Sequence, residues 1–320
     1  MVTDDGVKAA TIQATESDAG KRVDVLLVER VPGMSRAKAR ALAEQGKIRV
    51  GGRRVRKGAL VRAGDVVTLD ALPTPADFDA TPDPVLGAAL AVVHEDAHIV
   101  VVDKPAGVPA HPLRPGEVGT VAGALVARYP ELAGVGYRRR EPGILHRLDT
   151  DTSGLMLAAR DATTFERLRL ALRAGLIEKR YVALVEGALG APRTITLPLA
   201  TDPTDERRVR ACVDERDTVR LGARDAITRV LVAEPVGSSF TYVTVEAPVA
   251  GRHQIRVHFA AIGHPLAGDR LYGGPALEGL TRHFLHAVEL SLVHPVTGKR
   301  LCLRAPLPPE LARALEQARV

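Results

Sequence analysis

The pattern of apolar and polar positions divides the chain into two parts. In the first, short apolar runs alternate with turn residues. Ser35 stands as a helix N-cap ahead of Arg36 to Gln45, and Gly46 is placed as the stop. Ile48 to Val50, Arg53 to Val55 and Val66 to Leu69 read as strands, joined by turns at Gly51-Gly52 and Gly64-Asp65. From Ala71 onward neither period holds, and Pro73, Pro75, Pro82 and Pro84 predict an extended linker. Beyond it, Leu90 to Val93, Ile99 to Val102, Leu155 to Ala159, Lys179 to Val185, Ala226 to Val232 and Phe240 to Glu246 carry the β-branched composition of strands. Asp161 can cap a helix whose apolar stripe is Phe165, Leu168, Leu172 and Leu176. A second helix places Ile255, Phe259 and Ile262 toward the core, sets His253 and Arg256 on one face at i and i+3, and ends at Gly263. The expected class is α+β: a small α+β domain over 20–70, a linker over 71–90, and a body over 91–310 with a mixed, mainly antiparallel sheet.

Charge sharpens that division. The chain of 320 residues carries a formal net charge of +6, but Gly20 to Asp70 holds thirteen Lys/Arg against five acids. A compact basic segment on a near-neutral body suits a polyanionic partner, because phosphate backbones attract cations irrespective of sequence. Arg22, Arg36, Lys38, Arg40, Arg53 and Arg54 are the candidate contacts. Aromatic residues make up only 3% and tryptophan is absent, which disfavours a base-stacking platform and favours shape and backbone recognition of structured RNA. The 46% hydrophobic content suffices for a core, and no apolar stretch approaches the ~18 residues of a membrane span. A soluble, cytoplasmic monomer is expected. Cys212 and Cys302 lie far apart without metal-ligand spacing, so both are expected to be buried small hydrophobes.

The stretch from Gly143 to Gly154, GILHRLDTDTSG, sets two carboxylates and a Ser/Thr cluster between apolar runs. By residue type alone it reads equally as a hydrogen-bonded turn or as a loop presenting reactive groups. HRLDTDTSG resembles the signature of the RluA-type pseudouridine synthases. VVDKPAGVPAHP at 101–112, EKRYVALVEG at 178–187, HQIRVHFA at 253–260, GHPLAGDRLYGG and FLHAVELSLVHPVTGKRLCLRAPLP follow in that family's order. Residues 20–69 resemble the small RNA-binding domain first named for ribosomal protein S-four.

The resemblance implies isomerisation of uridines in structured RNA, large-subunit ribosomal RNA above all. It also implies Asp149 as nucleophile, Tyr181 in the pocket, Arg256 as the partner of Asp149, and Arg147 filling the space left by the extruded base. Such chemistry has no net oxidation or hydrolysis and so needs no cofactor or metal. A carboxylate suits covalent attack, a guanidinium keeps it ionised, and Tyr181 offers an aromatic face with a hydroxyl able to take the ring proton.

One departure stands out: Gly251-Arg252 adjoins His253 directly, where the family has one more residue before His-Gln. Other readings compete. Asp149-Thr150-Asp151 resembles the paired aspartates of haloacid-dehalogenase phosphatases, though His146 and Arg147 interrupt the apolar strand such a motif follows. A metal site from His253, His258 and His264 is conceivable but poorly supported by ten scattered histidines. A non-catalytic RNA-binding or ribosome-assembly role needs only the basic domain.

Overall fold

The computed structural model describes residues 10–31, 34, 36–44, 46–55, 58–69, 78–190 and 193–319. The Ser35 cap, the helix end at Gln45, Pro73 and Pro75, and the Lys38 side chain lie outside the described residues. The chain separates into two compact units between Phe78 and Asp79.

In the first unit, β1 (Ala10–Gln13), α1 (Val23–Arg30), α2 (Arg36–Glu44), β2 (Ile48–Val50), β3 (Arg53–Arg54) and β4 (Val66–Leu69) form an antiparallel sheet in the order β1-β4-β2-β3 beside two helices. Leu26 and Leu27 of α1 pack on Ile48, Val67 and Leu69. The expected hairpin is present: Gly51 and Gly52, at φ 55° and 79°, connect β2 to β3, the left-handed pair that a two-residue turn demands. The unit starts earlier than residue 20, since β1 supplies an edge of its sheet.

The second unit opens with α3 (Pro84–Ala89), inside the segment expected to be an extended linker. Asp83 accepts the Leu86 N–H at 3.0 Å and Pro84 occupies the first turn, so the prolines read as breakers include a helix starter. The order continues through β5 (Ala91–Glu95), β6 (Ile99–Lys104), α4 (Val121–Arg128), β7 (Ser153–Ala159), α5 (Ala162–Arg173) and β8 (Glu178–Glu186). Next come β9 (Thr194–Ile195), β10 (Leu199–Thr201), β11 (Val209–Ala211), α6 (Glu215–Leu221), β12 (Thr228–Val236) and β13 (Phe240–Glu246). Last are α7 (Gln254–Ala261), β14 (Leu285–Val293), β15 (Arg300–Arg304) and α8 (Pro309–Gln317), whose Leu311 and Ala314 are buried beyond the expected end at 310.

The main sheet runs β5-β6-β7-β14-β8-β13-β12-β9, with β15 on β14. Among the described residues only β7 and β14 pair in parallel, so the sheet is mixed and mainly antiparallel, as expected. Its central strands are buried on both faces. Val100, Val102, Met156 and Ala158 pack with α4, while Ile99, Val101, Leu155 and Leu157 pack with Phe165 and Leu168 of α5. That two-sided burial explains their unbroken apolar runs. Asp161 caps α5 through the Thr164 N–H at 2.8 Å. The helix ends at Arg173, however, leaving Leu176 exposed past the left-handed Gly175 rather than on the stripe. Cys212 is buried as expected; Cys302 is exposed, facing outward with Arg300 and Arg304 on β15.

Candidate active site

Asp149 sits in a turn just before β7, closed by the Thr152 N–H on the Asp149 carbonyl at 3.0 Å. The strand that follows must approach β14 closely. A Cβ on Gly154 would meet the Ala287 carbonyl oxygen at 2.3 Å, and its φ of 116° lies in glycine territory. Four further groups of the turn are tied down. The Thr150 carbonyl accepts from Lys104 Nζ and the Gly107 N–H, both at 2.9 Å. The Asp151 carbonyl accepts from Arg282 at 2.9 Å, Thr152 Oγ1 meets His283 Nε2 at 2.8 Å, and Ser153 Oγ meets His286 Nδ1 at 2.9 Å.

Lys104 is fully buried, and its three N–H groups reach the carbonyls of Pro105, Val108 and Thr150 at 2.8–2.9 Å. Burial pushes the amine down to about 7. The three acceptors nevertheless fit an ammonium, which has three donors, and not an amine whose lone pair would face an oxygen.

From α7, Arg256 donates Nη1 to Asp149 Oδ2 at 2.9 Å and grips Asp269 through Nε and Nη2 at 2.6 and 2.9 Å. Asp269, only 1% exposed, thus fixes the plane of the guanidinium that faces Asp149. The Asp149 side chain keeps 20% of its exposure, enough for a substrate atom to reach it. Burial raises its pKa, but His253 and Arg256 outweigh that and hold the carboxyl below its usual value. Tyr181 on β8 lines a small pocket with Asp149, Arg147, Gly251 and Leu285. Its pKa is raised by burial and by the Asp149 charge, so the phenol stays protonated.

The structure brings together the three site residues expected from the sequence, Asp149, Tyr181 and Arg256. Arg147 lies on the wall of the adjoining cleft, 44% exposed, donating to His111 Nε2 at 3.3 Å and 3.9 Å from Glu141. In the first unit, Arg36, Arg40, Arg53 and Arg54 are exposed, whereas Arg22 is clamped by Asp24 at 2.8 and 2.9 Å. The shortened Gly251-Arg252-His253 segment turns Arg252 away, onto the carbonyls of Glu206 and Arg207. His253 takes a left-handed φ of 55° to start α7 and reaches Tyr272 Oη at 2.8 Å. His258 meets Thr228 and the Leu197 carbonyl, and His264 meets the Glu186 carbonyl, so His253, His258 and His264 point to separate partners and not to one metal.

Sequence reasoning missed Asp269. Its signal was the flanking Gly268 and Gly274, where an added Cβ would strike the Arg282 and Leu266 carbonyl oxygens at 2.2 and 1.8 Å. Residues 98–261 match the RNA pseudouridylate synthase family, and residues 21–67 match the S4 domain.

The chain belongs to the RNA pseudouridylate synthase family. An uncharacterized RNA pseudouridine synthase of Synechocystis is 34% identical over 324 residues, covering 98% of this chain and 92% of that one. The ribosomal large subunit pseudouridine synthase D of Xanthomonas campestris is 33% identical over 317 residues, covering 95% and 91%. Among solved structures, human RNA pseudouridylate synthase domain containing 4 aligns with a TM-score of 0.56 at 23% identity, over 73% of this chain and 96% of that one, a likeness of fold. The RluA-type resemblance and the basic S4 domain are borne out, and the protein is an RNA pseudouridine synthase of the isomerase class. No helix among the described residues is long and apolar enough to cross a membrane.

Proposed function

We propose that this synthase isomerises uridines of large-subunit ribosomal RNA, with Asp149 as nucleophile. The observation that carries the reading is the Asp149 carboxylate, kept ionised by Arg256 and partly open at the mouth of a pocket walled by Tyr181. Supporting the substrate class, relatives similar over nearly the whole chain are named ribosomal large subunit pseudouridine synthase D. A phosphatase would need Asp149 to face a metal cation; here it faces a guanidinium held by a second carboxylate.

The carboxylate attacks the ribose or the uracil ring, and the bond from ribose C1′ to N1 breaks. The uracil turns, C5 bonds to C1′, and the C5 proton is released as Asp149 is freed. Tyr181 Oη makes no hydrogen bond among the described residues, which leaves it available to the base. We assign Tyr181 to holding and orienting uracil, and its hydroxyl to taking the C5 proton, a step at which Asp149 is covalently engaged and no longer carries the charge that raises the phenol. The test is tritium release from transcripts labelled at C5 of uracil. Release from large-subunit ribosomal RNA and not from transfer RNA is expected, and the reverse pattern would refute the substrate assignment.

Extruding a stacked base costs a few kcal/mol, and we assign Arg147, two residues before Asp149, to filling the gap. Arg147→Ala is therefore expected to slow turnover of folded RNA about tenfold or more while sparing an unstructured oligonucleotide. Equal losses on both substrates would remove that role.

The basic unit is assigned to backbone docking. Changing Arg36, Arg40, Arg53 and Arg54 to Gln together should weaken RNA binding and flatten its salt dependence by a slope of up to about 3.6, at ~0.7–0.9 per phosphate contact. An unchanged slope would move docking to the catalytic unit.

A further inference from the structure

Lys179 lies on β8 two residues before Tyr181, so both side chains issue from the same face of the sheet. The residue is 3% exposed and lines the wider cleft that also contains Asp149, His146 and Arg147. Buried ammonium groups are ordinarily satisfied, as Lys104 is by its three carbonyls. Among the described residues Lys179 makes no hydrogen bond and no ion pair. Burial alone acts on its pKa, which drops to about 8, so the group remains largely charged at neutral pH.

The neighbouring side chain cannot supply the missing acceptor. His146 uses Nε2 to accept the Leu157 N–H at 3.3 Å, which puts the proton of the neutral ring on Nδ1. That Nδ1 is itself buried without a partner. Burial first, and the Lys179 charge second, keep the ring neutral. The cationic donor of Lys179 thus lines the cleft without an acceptor of its own, and the uncharged His146 beside it offers it none. Arg138, Arg147, Arg207 and Arg252 outnumber Glu141 and Glu206 along the same cleft, a balance that suits the path of a polyanion.

We propose that Lys179, with His146 beside it, binds one backbone phosphate of the substrate RNA strand next to the uridine in the site. A phosphodiester brings both the counter-charge and the acceptor oxygens, whereas a base carbonyl would leave the ammonium uncompensated. The proposal rests on the pseudouridine synthase reading, because it takes the cleft as the path of the RNA.

The test uses full-length Lys179→Met and Lys179→Gln, with Kd measured for a ribosomal transcript in an Asp149→Asn background. Affinity is expected to fall about tenfold and the salt slope to flatten by about 0.7, one phosphate contact. The melting temperature of Lys179→Met should hold or rise, since an unpaired buried charge has been removed. Methylphosphonate placed singly at the phosphates flanking the target should at one position weaken the wild type as much as Lys179→Met does. At that position it should add nothing in the variant. Unchanged affinity and slope in both variants, additive losses at every methylphosphonate, or a lowered melting temperature revealing a protein partner for the ammonium would each overturn the assignment. Tritium release by the wild type separates the outcomes: its absence overturns the enzymatic reading, and its presence with a silent Lys179 overturns only the phosphate site.

Discussion

Asp149→Asn is expected to lower tritium release by roughly 10³-fold or more, the order seen when a covalent nucleophile is removed, while RNA binding survives. The reason for the split lies in the geometry. Arg256 keeps its two-point grip on Asp269 when Asp149 becomes neutral, so the guanidinium and the α7 terminus stay in place. The turn also stays, because its anchors to Lys104, Arg282 and His283 involve Thr150, Asp151 and Thr152 and not the Asp149 carboxylate. Removing a negative charge from a site that receives phosphates should leave affinity equal or slightly higher. Single-turnover release and filter binding on one labelled transcript read both quantities. Turnover within tenfold of the wild type would exclude Asp149 as nucleophile, and a matching loss of binding would reassign it to substrate capture.

The sequence disclosed the strands of the central sheet because their burial on both faces wrote continuous apolar runs at Ile99 to Val102 and Leu155 to Ala159. It disclosed Asp149 and Arg256 only through the resemblance, since the turn around Asp149 is as polar as any surface loop. The pairing of the two depends on a contact 107 residues apart in sequence, which no local pattern records. Asp269 was hidden for the same reason, with tight glycines as its only trace. At α3, four prolines outweighed the Asp83-Pro84 start signal. At Lys179 the periodicity was read correctly as strand, but strand alternation does not say whether a buried lysine has a partner. That question belongs to tertiary structure.

The pairing of Arg256 with two carboxylates predicts the second large effect. Arg256→Met takes away the guanidinium that Asp149 and the buried Asp269 share, and breaking such a pair costs about 3–5 kcal/mol, so the variant should melt well below the wild type. In the wild type the Asp149 pKa lies below its unfolded value, near 3.9. That depression contributes stability above the unfolded pKa and is lost only as pH falls through the folded one. In the variant the sign reverses. Burial and the neighbouring carboxylate outweigh the imidazole that remains, His253 at 4.0 Å, which burial keeps from charging readily, and raise the folded pKa above the unfolded value, so stability falls as pH rises through it, and mild acid becomes less damaging than neutral pH. Activity follows ionisation in the opposite sense: the acid limb of the kcat profile shifts upward, and turnover lost near neutrality is partly regained at higher pH. Arg256→Lys keeps a charge but lacks the fork needed to hold Asp149 and Asp269 together, so it should fold better than the methionine variant and still show a displaced limb. Melting at pH 5 and 8 and single-turnover rates across pH measure these opposed trends. A wild-type acid limb in both variants would show that Arg256 does not govern the charge on Asp149, and its role would reduce to anchoring α7.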